Sequence, residues 1–392
     1  MSDIYGQTGN LHDLMAGWRH DFHQHPELGF DEHRTSRKVA DLLASFGVAV
    51  HTGIGRTGVV GVLQKGNATR SIGLRADMDA LPISETGASA YKSSSDGVMH
   101  ACGHDGHTSM LLGAAKHLAE SGTFNGRIVF IFQPNEEHGL GAAAMLDDGL
   151  FDRFGVDEVH GMHNIPGMQV GTFESRSNAI TASESLFEIE IAAHGGHAAL
   201  PHMGVDAIMV GAEIVGALQT IVSRKLNPSL NGVVSVTEFE TDGRRNVLPG
   251  KAVLRGDARA LAPEINRSIE THMRQVVAGI CAAHGVSATV SYDTIFPATI
   301  NAASATHAGI RAAQALVGSD GVDGDCPAKL FSEDFAHLAT ARPGCFMLMG
   351  NGTMGAHARP LHSSDYDFND AALVPGSSYW VTLVEQQLQE HD

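Results

Sequence analysis

Positive charge is scarce in this 392-residue chain: 26 Lys and Arg stand against 44 Asp and Glu, a formal net charge of -18 at pH 7. A field of that sign repels polyanions and anionic bilayers at long range, so neither nucleic acid nor a membrane surface is an expected partner. Cysteine is also scarce. Cys102, Cys281, Cys326 and Cys345 are too few and too scattered for a disulfide framework, which fits a reducing compartment. The opening MSDIYGQTGNLHDL lacks a basic stretch followed by an apolar one, and no uninterrupted apolar run approaches membrane-spanning length. These absences set the expectation of a soluble cytoplasmic protein. Internal repeats, low-complexity tracts and long linkers are missing too, while the hydrophobic share of 43% supports ordinary globular folding. The length exceeds most single hydrophobic cores, so two domains are expected.

The first 180 or so residues alternate helix-period and strand-like segments. Helices are predicted over 11–22 and 32–46, then VVGVL and SIGLRA as strands, a helix after Asp105, the strand RIVFIF, a Gly/Ala-rich helix near 140–148 and the strand-like DEVHGMH. This is an α/β grammar. From Ser185 it changes to LFEIEIAA, a helix over 206–224, VVSVTEFE, AVLRGDARA, a helix over 264–283 and SATVSYD. That order, βαββαβ, is the order of a ferredoxin-like unit. Chemistry-bearing fragments resume only afterwards, with SEDFAHL, the strand CFMLMG, the His362 loop and a closing helix from Tyr379 to Leu388. The predicted architecture is therefore an α/β/α domain with a mixed sheet (1–182 and 295–392), interrupted by an inserted ferredoxin-like βαββαβ unit (183–294).

Separated fragments carry metal-ligand residue types: DMDALP at 77–82, HACGHDGH at 100–107, NEEH at 135–138, GMHN at 161–164 and PLHSSD at 360–365. Most fall at the C-terminal ends of predicted strands, the edge where open α/β sheets form binding crevices. Together they read as a two-metal hydrolase. Cys102 and His104 sit two apart before a helix, where a helix N-terminus would favour a thiolate; either alone would pass for a buried Cys and a polar His. Glu136 and Glu137 can divide the work, one holding metal and the other acting as base; the bland alternative is a solvated acidic turn. His163 and His362 taken singly would be ordinary histidines. Asp77 and Asp79 could ligate metal or anchor ligands, and spacing does not separate these roles. Asp105 could orient a histidine. His100 and His107 read as supporting or solvated, His160 as structural, and His23 and His25 as structural because no acidic partner is at hand. GIGRTG at 53–58 fits a dinucleotide-binding pattern, with Asp77 about twenty residues on. A strand rather than a helix follows it, so a glycine turn between two short strands is the expectation.

With these motifs in order, the chain closely resembles the N-acyl-amino-acid amidohydrolases of the hippurate hydrolase and indoleacetyl-amino-acid hydrolase group, within the aminoacylase and carboxypeptidase metallopeptidase family. The likeness runs from HQHPELGFDEH through LRADMDALPISE, MHACGHDGHTSMLLGAA, FQPNEE, GMHNIPGMQVGTF, GGHAALPH and NVLPGKAVLRGDAR to SEDFA and LHSSDYDFND. The resemblance implies Cys102, His104, Glu137, His163 and His362 as ligands of two divalent ions, zinc or manganese, with cobalt or nickel allowed. It implies Glu136 as base and proton shuttle, Asp79 as the orienting aspartate, and His197 as a lid histidine that completes the partner subunit's site. Asn246 and Arg259 match positions that bind a substrate carboxylate. A homodimer or dimer of dimers acting on N-acyl amino acids follows, with a dipeptidase, an acetyl-diaminopimelate-type deacetylase or a non-catalytic metal-dependent binding protein as alternatives. His194, NEEHGLGA and FPATIN depart from the family's usual residues, which bears on substrate preference more than on reaction type.

Overall fold

A computed structural model describes residues 8–389, and these fall into two units. The larger comprises the chain up to Ile180, Thr299–Pro327 and the chain from Asp334; the smaller comprises Thr181–Ala298 and Ala328–Glu333.

The larger unit is built on an eight-stranded sheet in the order Ala49–Ile54, Gly58–Lys65, Gly126–Gln133, Ser71–Asp77, Glu158–Pro166, Gly344–Gly352, Phe173–Glu174, Val322–Asp323. Its first two pairings are antiparallel, whereas Gly126–Gln133, Ser71–Asp77, Glu158–Pro166 and Gly344–Gly352 run parallel. Parallel strands are covered on both faces, which is why RIVFIF and CFMLMG read as continuous apolar runs. Ser71–Asp77 is buried along its whole length although it contains Arg75 and Asp77. Helices His12–Gln24, His104–Glu120 and Leu373–Gln387 add Trp18, Phe22, Met110, Leu118 and Trp380 to a core shared with Leu74, Phe130 and Phe132. The last helix begins at Leu373, six residues before the expected Tyr379. Pro375 sits in its first turn, where no N–H is needed, so a residue that reads as a breaker is accommodated.

Because the central four strands share one direction, their C-terminal ends meet at one edge, and the ligand-type fragments follow those ends. The turn at 55–57 reaches the same edge, since Gly58–Lys65 runs antiparallel to Gly126–Gln133 with Val59 opposite Phe132. It is the glycine turn expected of GIGRTG, not the opening of a helix.

The smaller unit has the ferredoxin-like order: strand Ser183–Ala192, helix Ala207–Thr220, strands Gly232–Thr241 and Lys251–Ala260, helix Pro263–His284 and strand Ser287–Phe296. The sheet is antiparallel, with Ser183–Ala192 central between Lys251–Ala260 and Ser287–Phe296. Alternation in LFEIEIA puts Phe187, Ile189 and Ile191 on the inner face against Val210, Ile214, Ile269 and Met273. Helix and closing π-turn together, Ala207–Lys225, are long and apolar enough by length and composition to cross a membrane, with a mean hydropathy of 1.3. Glu213 interrupts the run in the sequence, which hides its length; Val210, Ile214, Leu218 and Ile221 are core residues, while Ile208 and Met209 are exposed.

Candidate active site

Helix His104–Glu120 starts from Gly103, whose φ of +95° lies in the left-handed region. A Cβ there would stand 2.4 Å from Asn164 Oδ1 and 2.7 Å from the Tyr366 hydroxyl oxygen, so only glycine allows this tight entry. The turn brings Cys102 Sγ to 3.3 Å from His163 Nε2, on the strand Glu158–Pro166. Donor atoms of Cys102, His104 and His163 lie within 4.8 Å of one another, as do those of Cys102, Glu137 and His362, and those of His104, Glu136 and Glu137. His362 adopts a φ of +65° and its N–H donates to the Ala101 carbonyl at 2.9 Å, tying a distant loop to the segment that carries Cys102. Thus the structure gathers all five expected ligands, with Glu136 beside them.

The chemistry of this donor set calls for cations. His104 Nε2 and Glu137 Oε1 are buried and make no hydrogen bond. Burial raises the Cys102 thiol well above its ordinary range, and the Glu137 and Glu136 carboxylates push it further. Without a cation, burial first and the carboxylates second favour the thiol, against the helix N-terminus that favours a thiolate. Burial alone would lower His104, yet Asp77, Asp79 and Glu137 raise it to about 10. Burial, against the pull of His104, pushes Glu137 up to about 7. Cys102, His104 and Glu137 are thus driven toward their protonated forms while burial lowers His163 and His362, and divalent ions are what replaces protons in such a donor set. The residues present therefore fit a metal centre.

Asp77 and Asp79, which spacing leaves unresolved, have separate jobs. His104 Nδ1 lies 2.9 Å from the Asp79 carbonyl oxygen and 3.2 Å from Asp79 Oδ1, while Asp79 Oδ2 accepts the Glu137 N–H at 3.0 Å. A proton held on Nδ1 leaves the Nε2 lone pair for metal, so Asp79 orients two ligands at once. Asp77 is instead occupied below them. Its Oδ2 accepts from Arg75 at 2.7 Å, and its Oδ1 lies 2.6 Å from His107 Nδ1. His107 Nε2 is in turn 2.7 Å from Asn164 Oδ1.

Sequence reasoning left one of these supports open between two readings and missed others. His107, read as supporting or solvated, is buried; its spacing three residues after His104 on one helix face was the available signal. Arg75, Gln133 and Asp334 form a buried polar layer that no local pattern announces. His23 does have acidic partners: its Nδ1 is 2.8 Å from Asp105 and its Nε2 is 3.5 Å from Glu85. Asp105 also faces Arg19 at 3.5 Å, so it orients helix His12–Gln24 rather than a ligand histidine.

In the smaller unit, Gly196–His197 pairs with Val247–Leu248, which sets His197 opposite Val247 and beside Asn246. Both side chains are exposed. The Ala199 N–H donates to His197 Nδ1 at 3.1 Å, which makes Nδ1 the acceptor and places the ring proton on Nε2. Arg259 is already committed: it donates to Asp257 at 2.8 Å and to the Ser332 hydroxyl at 2.7 Å, and it faces Glu184 at 3.1 Å.

Residues 73–386 match the model of peptidase family M20/M25/M40. The chain is 39% identical over 371 residues to hippurate hydrolase of Campylobacter jejuni, covering 95% of this chain and 96% of that protein. A solved structure from methicillin-resistant Staphylococcus aureus superposes with a TM-score of 0.92 at 33% identity, covering 99% of both chains. A dinuclear metal-binding peptidase of Bacillus subtilis superposes with a TM-score of 0.85 at 30% identity, covering 97% of this chain and 99% of that one. With its catalytic and inserted domains both matching, the chain belongs to peptidase family M20/M25/M40 and is a metal-dependent hydrolase of its amidohydrolase and aminoacylase group.

Proposed function

We propose that the protein hydrolyses the amide bond of N-acyl amino acids, releasing a carboxylic acid and a free amino acid. The observation that carries this reading is the convergence of Cys102, His104, Glu137, His163 and His362 around a buried Glu136. Those five residues would hold two divalent ions, as in the Bacillus relative, and the thiolate of Cys102 favours zinc, with manganese, cobalt or nickel as alternatives. Bound metals would supply Lewis acidity, which lowers the pKa of water and polarises the amide carbonyl.

The chain's own residues do the rest. Glu136, poised in a low-dielectric turn, takes the proton of the attacking water and returns it to the leaving amine. Asp79 holds His104 and the Glu137 amide in place during the cycle. The proton on His197 Nε2 offers a hydrogen bond to the oxygen that gains charge. Asn246 and Arg259 would hold the α-carboxylate; Arg259 takes part once the substrate displaces Glu184 from its guanidinium.

A panel of benzoyl-glycine, acetyl amino acids, indoleacetyl-aspartate and dipeptides tests the reading, using chelator-stripped enzyme reloaded with each metal. Amine release should vanish on stripping and return with metal, and the same substrates amidated at the α-carboxylate should be poor. Release from dipeptides alone would make it a dipeptidase, and silence with metal bound would leave a binding role.

A homodimer, or a dimer of dimers, follows if His197 acts on the partner's site; the exposed Ile208 and Met209 offer apolar surface for pairing. Mixing inactive His197→Ala with inactive Glu136→Gln should then restore turnover, because each mixed dimer contains one site with both residues intact. No recovery after subunit exchange would place His197 in its own subunit's site. Buried cysteines without disulfides among the described residues agree with a cytoplasmic setting.

A further inference from the structure

The HQHPELGFDEH segment and the GIGRTG turn are remote in sequence from Glu136, yet both end against the turn that carries it. Gly29 lies so close to Asn135 that a Cβ would stand 1.9 Å from Asn135 Oδ1. Glu32 is fully buried; its Oε1 accepts the Asn135 N–H at 2.8 Å and its Oε2 accepts the Thr57 hydroxyl at 2.5 Å. Thr57 is itself fixed, since the Ser36 hydroxyl donates to its carbonyl. The GIGRTG turn is wedged as well: a Cβ on Gly55 would meet Met145 N at 2.7 Å, and the Gly55 N–H donates to Asp148 at 3.2 Å.

Asn135 needs such a clamp. Its φ of +48° is one that non-glycine residues hold only when their surroundings enforce it. From that strained point the chain turns sharply, with the Gly141 N–H donating to the Asn135 carbonyl at 3.1 Å and the Gly139 N–H donating to the Glu136 carbonyl at 2.7 Å. Glu32 reaches the turn from outside it and grips the amide immediately before Glu136, as Asp79 grips the amide immediately after it.

We infer that Glu32 is a positioning residue that holds the Asn135 amide so that the Glu136 carboxylate keeps its aim. The inference rests on Glu136 being the base. Burial pushes Glu32 up to about 7, with Asp79 adding to the rise and the Thr57 hydrogen bond opposing it. Glutamine is therefore a fair replacement for it in both shape and charge.

The experiment compares the wild-type enzyme, Glu32→Ala, Glu32→Gln and Thr57→Val, each metal-loaded. It measures kcat, KM, metal content and hydrogen exchange at the Asn135 amide. Glu32→Ala should lose roughly 100-fold in kcat with KM and metal content unchanged, because a small misplacement of a reacting group has that effect. Its Asn135 amide should exchange faster, and Glu32→Gln should restore both properties. Wild-type kcat in Glu32→Ala, unchanged exchange, or a loss of kcat that tracks a loss of metal would each overturn the inference. If Glu32→Ala fails to fold, Thr57→Val decides: a several-fold fall in kcat at constant KM supports the clamp, and wild-type kcat refutes it. Should the wild type hydrolyse nothing while exchange still responds to Glu32→Ala, the base role of Glu136 fails and the clamp on Asn135 stands.

Discussion

Glu136→Gln should lower kcat by about 10²- to 10⁴-fold, the usual worth of a positioned base, while the protein keeps its metal. Glu136 and Glu137 are adjacent, so the prediction depends on which does what. Glu137 has an unpartnered buried oxygen and lies 3.9 Å from His104 and 3.5 Å from His362, both ligand candidates. Its N–H donates to Asp79 at 3.0 Å. Glutamine at 136 preserves volume and removes only the capacity to accept a proton. The companion variant, Glu137→Gln, should instead lose metal, because an amide is a poor replacement for a carboxylate ligand. Elemental analysis beside steady-state kinetics separates the two. If Glu136→Gln loses metal as completely as Glu137→Gln, Glu136 is a ligand and the base must be sought elsewhere.

What the sequence reveals of this site is governed by distance along the chain. Cys102 and His104 share one turn, Glu136 and Glu137 follow one strand, and each could be read because the signal is local and sits at a predicted strand end. The alternation in LFEIEIA likewise reports its own burial. Legibility fails where partners meet only in three dimensions. His23 looks isolated because Asp105 lies 82 residues on, and Arg75 looks like an interruption of a strand because Asp334 lies 259 residues on. Cys102 shows the same limit in electrostatic form. Its helix is visible in the sequence, but the burial that raises the thiol, and the carboxylates that add to the rise, come together only in the fold. Asn135 and His362, both at positive φ, carry no glycine to advertise the strain.

Arg75→Met should destabilise the protein by about 3–5 kcal/mol, the usual effect of breaking a buried ion pair from one side. Arg75, Asp77 and Asp334 are all without solvent exposure. The guanidinium donates to Asp77 at 2.7 Å, to Gln133 at 2.8 Å and to Asp334 at 2.9 Å, a planar fork that a lysine would not reproduce. Asp334 also accepts from Gln133 at 2.7 Å and from the Ala142 N–H at 2.9 Å, so it pins the helix that follows the catalytic turn. Without Arg75, two carboxylates would remain buried with less than their due of positive charge. At least one must then take up a proton or draw in water. Asp77 is the one that matters for chemistry, because its other oxygen holds His107 and its field helps to set the basicity of His104. Thermal unfolding of the metal-free protein should show a Tm lower by on the order of 10 °C. Arg75→Lys should fall between, and Arg75→Met combined with Asp334→Asn should cost less than the sum of the two. A Tm for Arg75→Met within a degree or two of wild type would mean that Gln133 and His107 satisfy both carboxylates unaided. The layer beneath the metal ligands would then be held by packing alone.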